Sequence, residues 1–238
     1  MALLALVAAS IVGVSLNSLI KEGVETLGPE ATGAPVTVDA VSISLLGGGA
    51  KLTGLKVGNP RGYKTPSAMK VGRASVVIRA ASLLADKLHI RSFELDSPEV
   101  TLEASLAGSN LSAIMANIEA YVQKTRDRTK PSRKLQVDRL AVTGAKLNMG
   151  VPLSGGKTIA VTLPDIQLAD LGAGPEGITG AELAQRVFRE ILNAATRAAS
   201  GTVGRGAEAL GSVVQGAGKK AGDALDQAAQ GLGSLLKK

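Results

Sequence analysis

The chain has 238 residues, is 45% hydrophobic yet only 2% aromatic, and carries a net charge of +7. With no Trp, two Tyr and two Phe it lacks the aromatic platforms on which single-stranded nucleic acid stacks, so the positive charge points to an acidic partner or an anionic membrane surface rather than to nucleic acid. The absence of Cys excludes disulfides and thiolate metal sites, and a single histidine, His89, excludes a multi-histidine metal centre within one chain.

Met1 to Ile20 reads MALLALVAASIVGVSLNSLI and carries no charged side chain. Twenty helical residues span roughly 30 Å, about one hydrocarbon core. A cleaved signal peptide would want a basic stretch before the apolar run, and none is present. A signal-anchor helix fits the length better. The expected organisation therefore starts with a transmembrane signal-anchor helix over residues 1–24 and a linker over 25–34, Lys21 to Gly33 continuing the helix to the Gly28-Pro29 breaker.

From Pro35 a short apolar rhythm begins, and it occurs three times. Its copies are Val36, Val38, Val41, Ile43, then Leu88, Ile90, Phe93, Leu95, then Leu135, Val137, Leu140, Val142. Steps of two are the strand period. The central step of three breaks phase, and a bulge or tight bend there restores the same face. A sheet bent at the same place in successive repeats becomes a gutter. Gly47-Gly48-Gly49 could cradle phosphate only before a helix, but AKLTGLKV follows, a strand pattern with Leu52, Leu55 and Val57 apolar, so the triplet reads as a hairpin. Gly58 to Tyr63 is a dense turn signal, and Met69 to Arg79 is again strand.

Leu111, Ile114, Met115, Ile118 and Val122 recur at three and four, predicting an amphipathic helix over about 110–126 capped by Asn110 or Ser109. The stretch Lys124 to Arg139 then carries five net positive charges. It reads as a solvated loop or, close to a membrane, as a head-group contact through Lys124, Arg126, Arg128, Lys130, Arg133 and Lys134. Beyond the third copy, Ile159 to Leu168 ends the sheet domain, expected over 35–174. Residues 175–238 form an Ala/Gly-rich tail. Its apolar positions Ala181, Phe188, Leu192, Ala199, Val203, Leu210, Val214, Ala221, Leu225, Leu232 and Leu236 alternate steps of seven and four, an 11-residue repeat close to the undistorted helical period. Glycines weaken this helix in water. A lipid surface, with Lys219 and Lys220 meeting the head groups, or an apolar groove would order it, and a disordered Ala/Gly-rich tail is the alternative.

The order NSLIKEGVETLGPEATGAPVTVDAVSISLLGGGAKLTGLKVGNPRGYKTPSAMKVG, HIRSFELDSPEVTLE, GSNLSAIMANIEAY, TIAVTLPDIQLADLG and GITGAELAQRVF resembles the AsmA-like family of Gram-negative envelope proteins. The resemblance covers most of Asn17 to Phe188. It implies a single-pass inner-membrane protein with its bulk in the periplasm, a curled sheet with an apolar inner groove like that of bridge-like lipid-transfer proteins, and a role in lipid transport or outer-membrane homeostasis.

The expected fold is thus α+β: an N-terminal transmembrane helix, a curled, mostly antiparallel sheet with one inserted helix, and an amphipathic helical tail. The three copies, with Leu52, Leu55 and Val57, supply the candidate walls of the groove. The expected function is binding or transfer of phospholipid or another acyl-chain lipid at a membrane, with other envelope proteins as further partners. A non-catalytic structural subunit of an envelope complex is the alternative. No enzyme and no cofactor is expected, because Asp39, Asp96, Asp138, Asp165 and Asp170 lack partners at catalytic or metal-ligand spacing and His89 has no readable second group.

Overall fold

The computed structural model describes residues 2–44, 48–105, 108–126, 133–150 and 158–201. The chain divides into two units, Met1–Ala195 and Thr196–Lys238. Within the second, residues 196–201 are helical. The first is α+β. Helix α1 (Ala2–Thr32) precedes strands β1 (Val36–Thr37), β2 (Ala40–Ser44), β3 (Gly49–Val57) and β4 (Met69–Ile78). A 3-10 turn (Ala80–Leu84) leads to β5 (Lys87–Asp96), β6 (Glu99–Leu102), the short pair β7 (Ala104–Ser105) and β8 (Gly108–Ser109), and helix α2 (Asn110–Arg126). Strands β9 (Lys134–Thr143), β10 (Lys146–Gly150), β11 (Thr158–Thr162) and β12 (Ile166–Leu171) follow, and then a helix, α3, over residues 180–195.

Among the described residues ten strands form one mixed sheet. Strand β4 is its middle: β3 lies on one side, and β5 and β6 share the other. The second and third copies of the rhythm are neighbours here. Strands β5 and β9 run parallel, with Leu88 opposite Leu135, Ile90 opposite Val137, Phe93 opposite Leu140 and Leu95 opposite Val142. The same offset continues past the corner, where Val100 of β6 lies opposite Leu147 of β10. Hydrogen bonds carry the pairing around it: Ser97 donates its N–H to Thr143 O at 2.8 Å, and Lys146 donates to Pro98 O at 2.9 Å. Two hooked segments, 87–102 and 134–149, are therefore stacked in register. The segment 158–171 stacks on the second in the opposite direction, β11 on β10 and β12 on β9.

In the second copy the step of three coincides with a bulge, while in the third the β9–β12 register runs through it without a shift. Between Ile90 and Ser92 the β4–β5 register shifts, leaving Arg91 exposed and unmatched. The irregularity returns Leu95 to the face of Ile90, and both are buried, as are Val137, Leu140 and Val142 of the third copy. The curled gutter does not form. The sheet is not curled, and it is mixed, with two parallel pairings. Its apolar face is not left open as a groove wall, because α1, α2 and α3 lie over it. Leu111, Ile114, Met115, Ile118 and Val122 of α2 are buried, as are Leu183, Val187, Phe188 and Ile191 of α3.

The expected transmembrane anchor over 1–24, and with it the single-pass inner-membrane placement, is also corrected. Among the described residues no helix is long and apolar enough to cross a membrane. From Asn17 onward α1 is held against the sheet instead. Residues Asn17, Lys21 and Glu25, four apart on one helical face, bind the outer edge of the sheet. Asn17 Oδ1 accepts from Ile43 N–H at 2.9 Å, Glu25 Oε1 accepts from Val38 N–H at 2.9 Å, and Lys21 Nζ donates to Asp39 O at 3.1 Å. An edge strand presents unpaired backbone groups, and this polar face covers them. The helix continues beyond Pro29 to Thr32, so the expected linker over 25–34 is mostly helical. Pro29 interrupts only the last turn, where Thr32 Oγ1 donates to Gly28 O at 2.8 Å. Gly28 is required by packing: a Cβ there would meet Val36 Cβ at 2.8 Å.

Candidate functional site

Where α1, α2 and α3 converge on the sheet they do not fill the space. A cavity of about 260 Å³ remains, lined by Gly28 and Thr32 of α1, Val36, Leu55, Val57, Met69, Phe93 and Leu95 of the sheet, Ile118 of α2, and Gly180, Leu183, Ala184, Val187, Phe188 and Ile191 of α3. Among the described residues Thr32 brings the only side-chain hydroxyl to this lining, and it is already bonded within α1. Gly28, Gly180 and Ala184 also line a second cleft, of about 590 Å³, between α1 and α3. Its walls add Ile20, Val24 and Leu27 of α1 with Tyr121, Thr125 and Thr179, the Thr125 hydroxyl donating to Tyr121 O and the Thr179 hydroxyl to Glu182 Oε2. The two spaces thus adjoin, the inner one apolar and the outer one bordered by polar groups.

Each wall has a local cause. Helix α3 starts in a capping box: Thr179 N–H donates to Glu182 Oε2 at 2.8 Å, and Glu182 N–H donates to Thr179 Oγ1 at 3.1 Å. The bond from Thr179 N–H holds the Glu182 carboxyl below its ordinary range against the opposing effect of burial, helped by the Thr179 hydroxyl, Lys134 and Arg126. Helix α2 starts at Asn110, which is fully buried yet fully used. Its Oδ1 accepts from Glu103 and Leu111 N–H, and its Nδ2 donates to Asn59 Oδ1 and Thr101 O. Asn117 Nδ2 donates to Thr32 O at 2.9 Å and ties α2 to the end of α1.

Of the groove candidates, Val36, Leu55, Val57, Phe93 and Leu95 line the cavity. Val38, Val41, Ile90, Val137, Leu140 and Val142 are buried in the core away from that lining, while Ile43, Leu52, Leu88 and Leu135 are half-buried. The lining from α3 was not anticipated. Its buried face runs Leu183, Val187, Ile191, spaced by four. The seven-four stripe instead marks Ala181, Leu192 and Ala199, which are half-buried, and Phe188, which is buried. The stripe from Val203 onward, with Lys219 and Lys220, lies outside the described residues.

Among the head-group candidates, Lys124 borders a cleft with Glu30, Asn117 and Tyr121, and Arg126 approaches Glu182 at 4.0 Å. Arg133 donates to backbone carbonyls of the 3-10 turn, and Lys134 is half-buried. Arg128 and Lys130 lie outside the described residues. His89 has a partner that the sequence did not reveal: its Nε2 donates to Asp138 Oδ1 at 2.6 Å, and Gln136 adds a bond to the same oxygen at 3.2 Å. His89 lies opposite Gln136 across β5 and β9, so Asp138 is two residues further along the neighbouring strand. The parallel register was the signal that would have found it. Among the described residues no three His, Asp or Glu side chains cluster closely enough to hold a metal ion. No family model matches this chain, and no curated protein matches it.

Proposed function

We propose that the protein binds the acyl chain of a lipid in the cavity under its three helices, with the polar end of the lipid in the adjoining cleft. The carrying observation is the lining: sheet and helix side chains meet around an apolar space of about 260 Å³. Burial of an apolar chain against such walls is favourable at about 25 cal/mol per Å² of apolar surface, and a concave apolar site with few polar groups at one end suits an amphiphile. Tyr121, Thr125 and Thr179 supply those groups. The resemblance to the AsmA-like family supports the same reading and extends it from lipid binding to lipid transfer.

Ala184 gives the test, because it lines both spaces and its side chain is exposed. Native mass spectrometry of the purified chain is expected to show bound fatty acid or phospholipid, and Ala184→Phe is expected to remove it while the thermal melt stays unchanged. Equal occupancy in wild type and Ala184→Phe would refute acyl binding at this place. A wild-type chain that takes up no added fatty acid supports the alternative of a non-catalytic structural subunit. The sheet order favours that second reading, since it ends in β11 and β12, each with one sheet partner among the described residues.

A further inference from the structure

The chain reverses between β4 and β5 through the 3-10 turn Ala80–Leu84. Turns between strands normally present polar residues, yet here Leu84 is 99% exposed and Leu83 42% exposed. The turn is firmly held. Buried Ser82 donates its hydroxyl to Arg79 O at 2.7 Å and accepts from His89 N–H at 2.9 Å. Arg133 Nη2 reaches the carbonyl oxygens of Ser82, Leu83 and Ala85 at 2.9, 2.7 and 2.9 Å. Those carbonyls are engaged from one side by the guanidinium, so the two leucines stand outward on a fixed backbone.

The surroundings are basic on balance: Arg79 and Arg133 are exposed and Lys87, bonded to Gly174 O, and Lys134 are half-buried, set against Asp86 in the flank of the turn, Asp138, whose charge Arg79 stabilises, and Glu182, whose charge Lys134 stabilises. Two leucines are far too little for a protein interface, which needs about 800 Å² from each partner. They suffice for insertion into a lipid interface, which demands no matching shape. Apolar side chains then enter the acyl boundary while Lys and Arg meet anionic head groups. We propose that the Ala80–Leu84 turn docks the protein on an anionic lipid bilayer, with Leu83 and Leu84 inserted and the basic residues around them on the head groups. The inference is independent of what the cavity holds.

The chain has no cysteine, so Leu84→Cys creates a unique attachment point for an environment-sensitive fluorophore. On the full chain, a blue shift is expected with mixed phosphatidylcholine–phosphatidylglycerol vesicles and not with phosphatidylcholine alone. The same dye at exposed Gln167→Cys, on β12, is expected to stay in water. In the unlabelled chain, Leu83→Ser with Leu84→Ser is expected to weaken co-sedimentation with the mixed vesicles about tenfold or more at an unchanged thermal melt, and added salt to weaken it further. Vesicle binding that survives both substitutions, a dye at position 84 that remains in water on vesicle-bound protein, or no binding of the wild type to the mixed vesicles would each overturn the proposal.

Discussion

Residues 88–95 and 135–142 pair with each other position for position, whereas 36–43, which carries the same apolar spacing, pairs with neither and lies at the far side of the sheet against β3. The connections account for the difference. A parallel pair needs a long crossover, and between β5 and β9 the chain makes β6, the short pair β7–β8 and helix α2. Between β2 and β3 the connection is short, which joins antiparallel neighbours. The rhythm therefore encodes a strand with one apolar face and a phase break, while the linker decides its partner and direction. The first copy is left at an edge, and α1 supplies Asn17, Lys21 and Glu25 to cover it.

The comparison breaks most visibly through the core. Leu140 in the third copy is fully buried, and its counterpart in the first, Val41, is 8% exposed beside the sheet edge. Leu140→Ala is expected to cost about 2–5 kcal/mol through lost burial and the cavity left behind. Val41→Ala is expected to cost about 1–2 kcal/mol for its two methyl groups. Urea denaturation measures both. Equal losses would mean that edge and interior copies carry the fold alike.

A subtler test sits at the corner of the stacked hooks. Ser97 and Gly144 occupy equivalent positions, and both have left-handed backbones, at φ 48° and 63°. Glycine adopts this conformation freely, while other L-residues incur strain of about 1–2 kcal/mol. A Cβ at Gly144 would also meet Ser97 Oγ at 3.0 Å. Gly144→Ala is expected to destabilise by about 1–2 kcal/mol, and Ser97→Gly to change stability by no more than about 0.5 kcal/mol, because relief of strain offsets a more flexible unfolded chain. Similar losses in both would show that the corner geometry is not shared.

Much of the sheet was legible because alternation and its break are local properties. The spacing of Leu111, Ile114, Met115, Ile118 and Val122 coincides with α2 for the same reason. What covers the apolar face was not legible, since a row of Val and Leu reads alike whether it faces a ligand, a membrane or a helix. The first 20 residues misled in the same way. Their apolarity reads as a lipid span, but the residues that fix the helix, Asn17, Lys21 and Glu25, act through backbone groups of Ile43, Val38 and Asp39, far along the chain. His89 looked solitary because its partner lies on another strand, and only the register of β5 against β9 brings them together.

That pair gives the smallest expected effect and separates two aspartates set in the same dipeptide. Val38-Asp39 and Val137-Asp138 match in sequence, yet Asp39 packs its carboxylate against Gly54, while Asp138 accepts from His89. The bond from His89 holds the Asp138 carboxyl below its ordinary range, with burial opposing and with Gln136 and the charges of His89 and Arg79 assisting. A depressed folded value means that the native state favours the ionised carboxylate. Its contribution is complete above the unfolded value and fades as pH falls through the folded one, so it belongs to the acid limb of the stability profile. The side chain is 41% exposed, and solvent screening keeps the contribution small. Following the Asp138 carboxyl by NMR through an acid titration is therefore more sensitive than a melt. His89→Gln is expected to move its midpoint upward toward the ordinary range and to leave the fold intact. An unmoved midpoint would mean that Gln136 and Arg79, and not the histidine carried by the second copy, set the charge of the third.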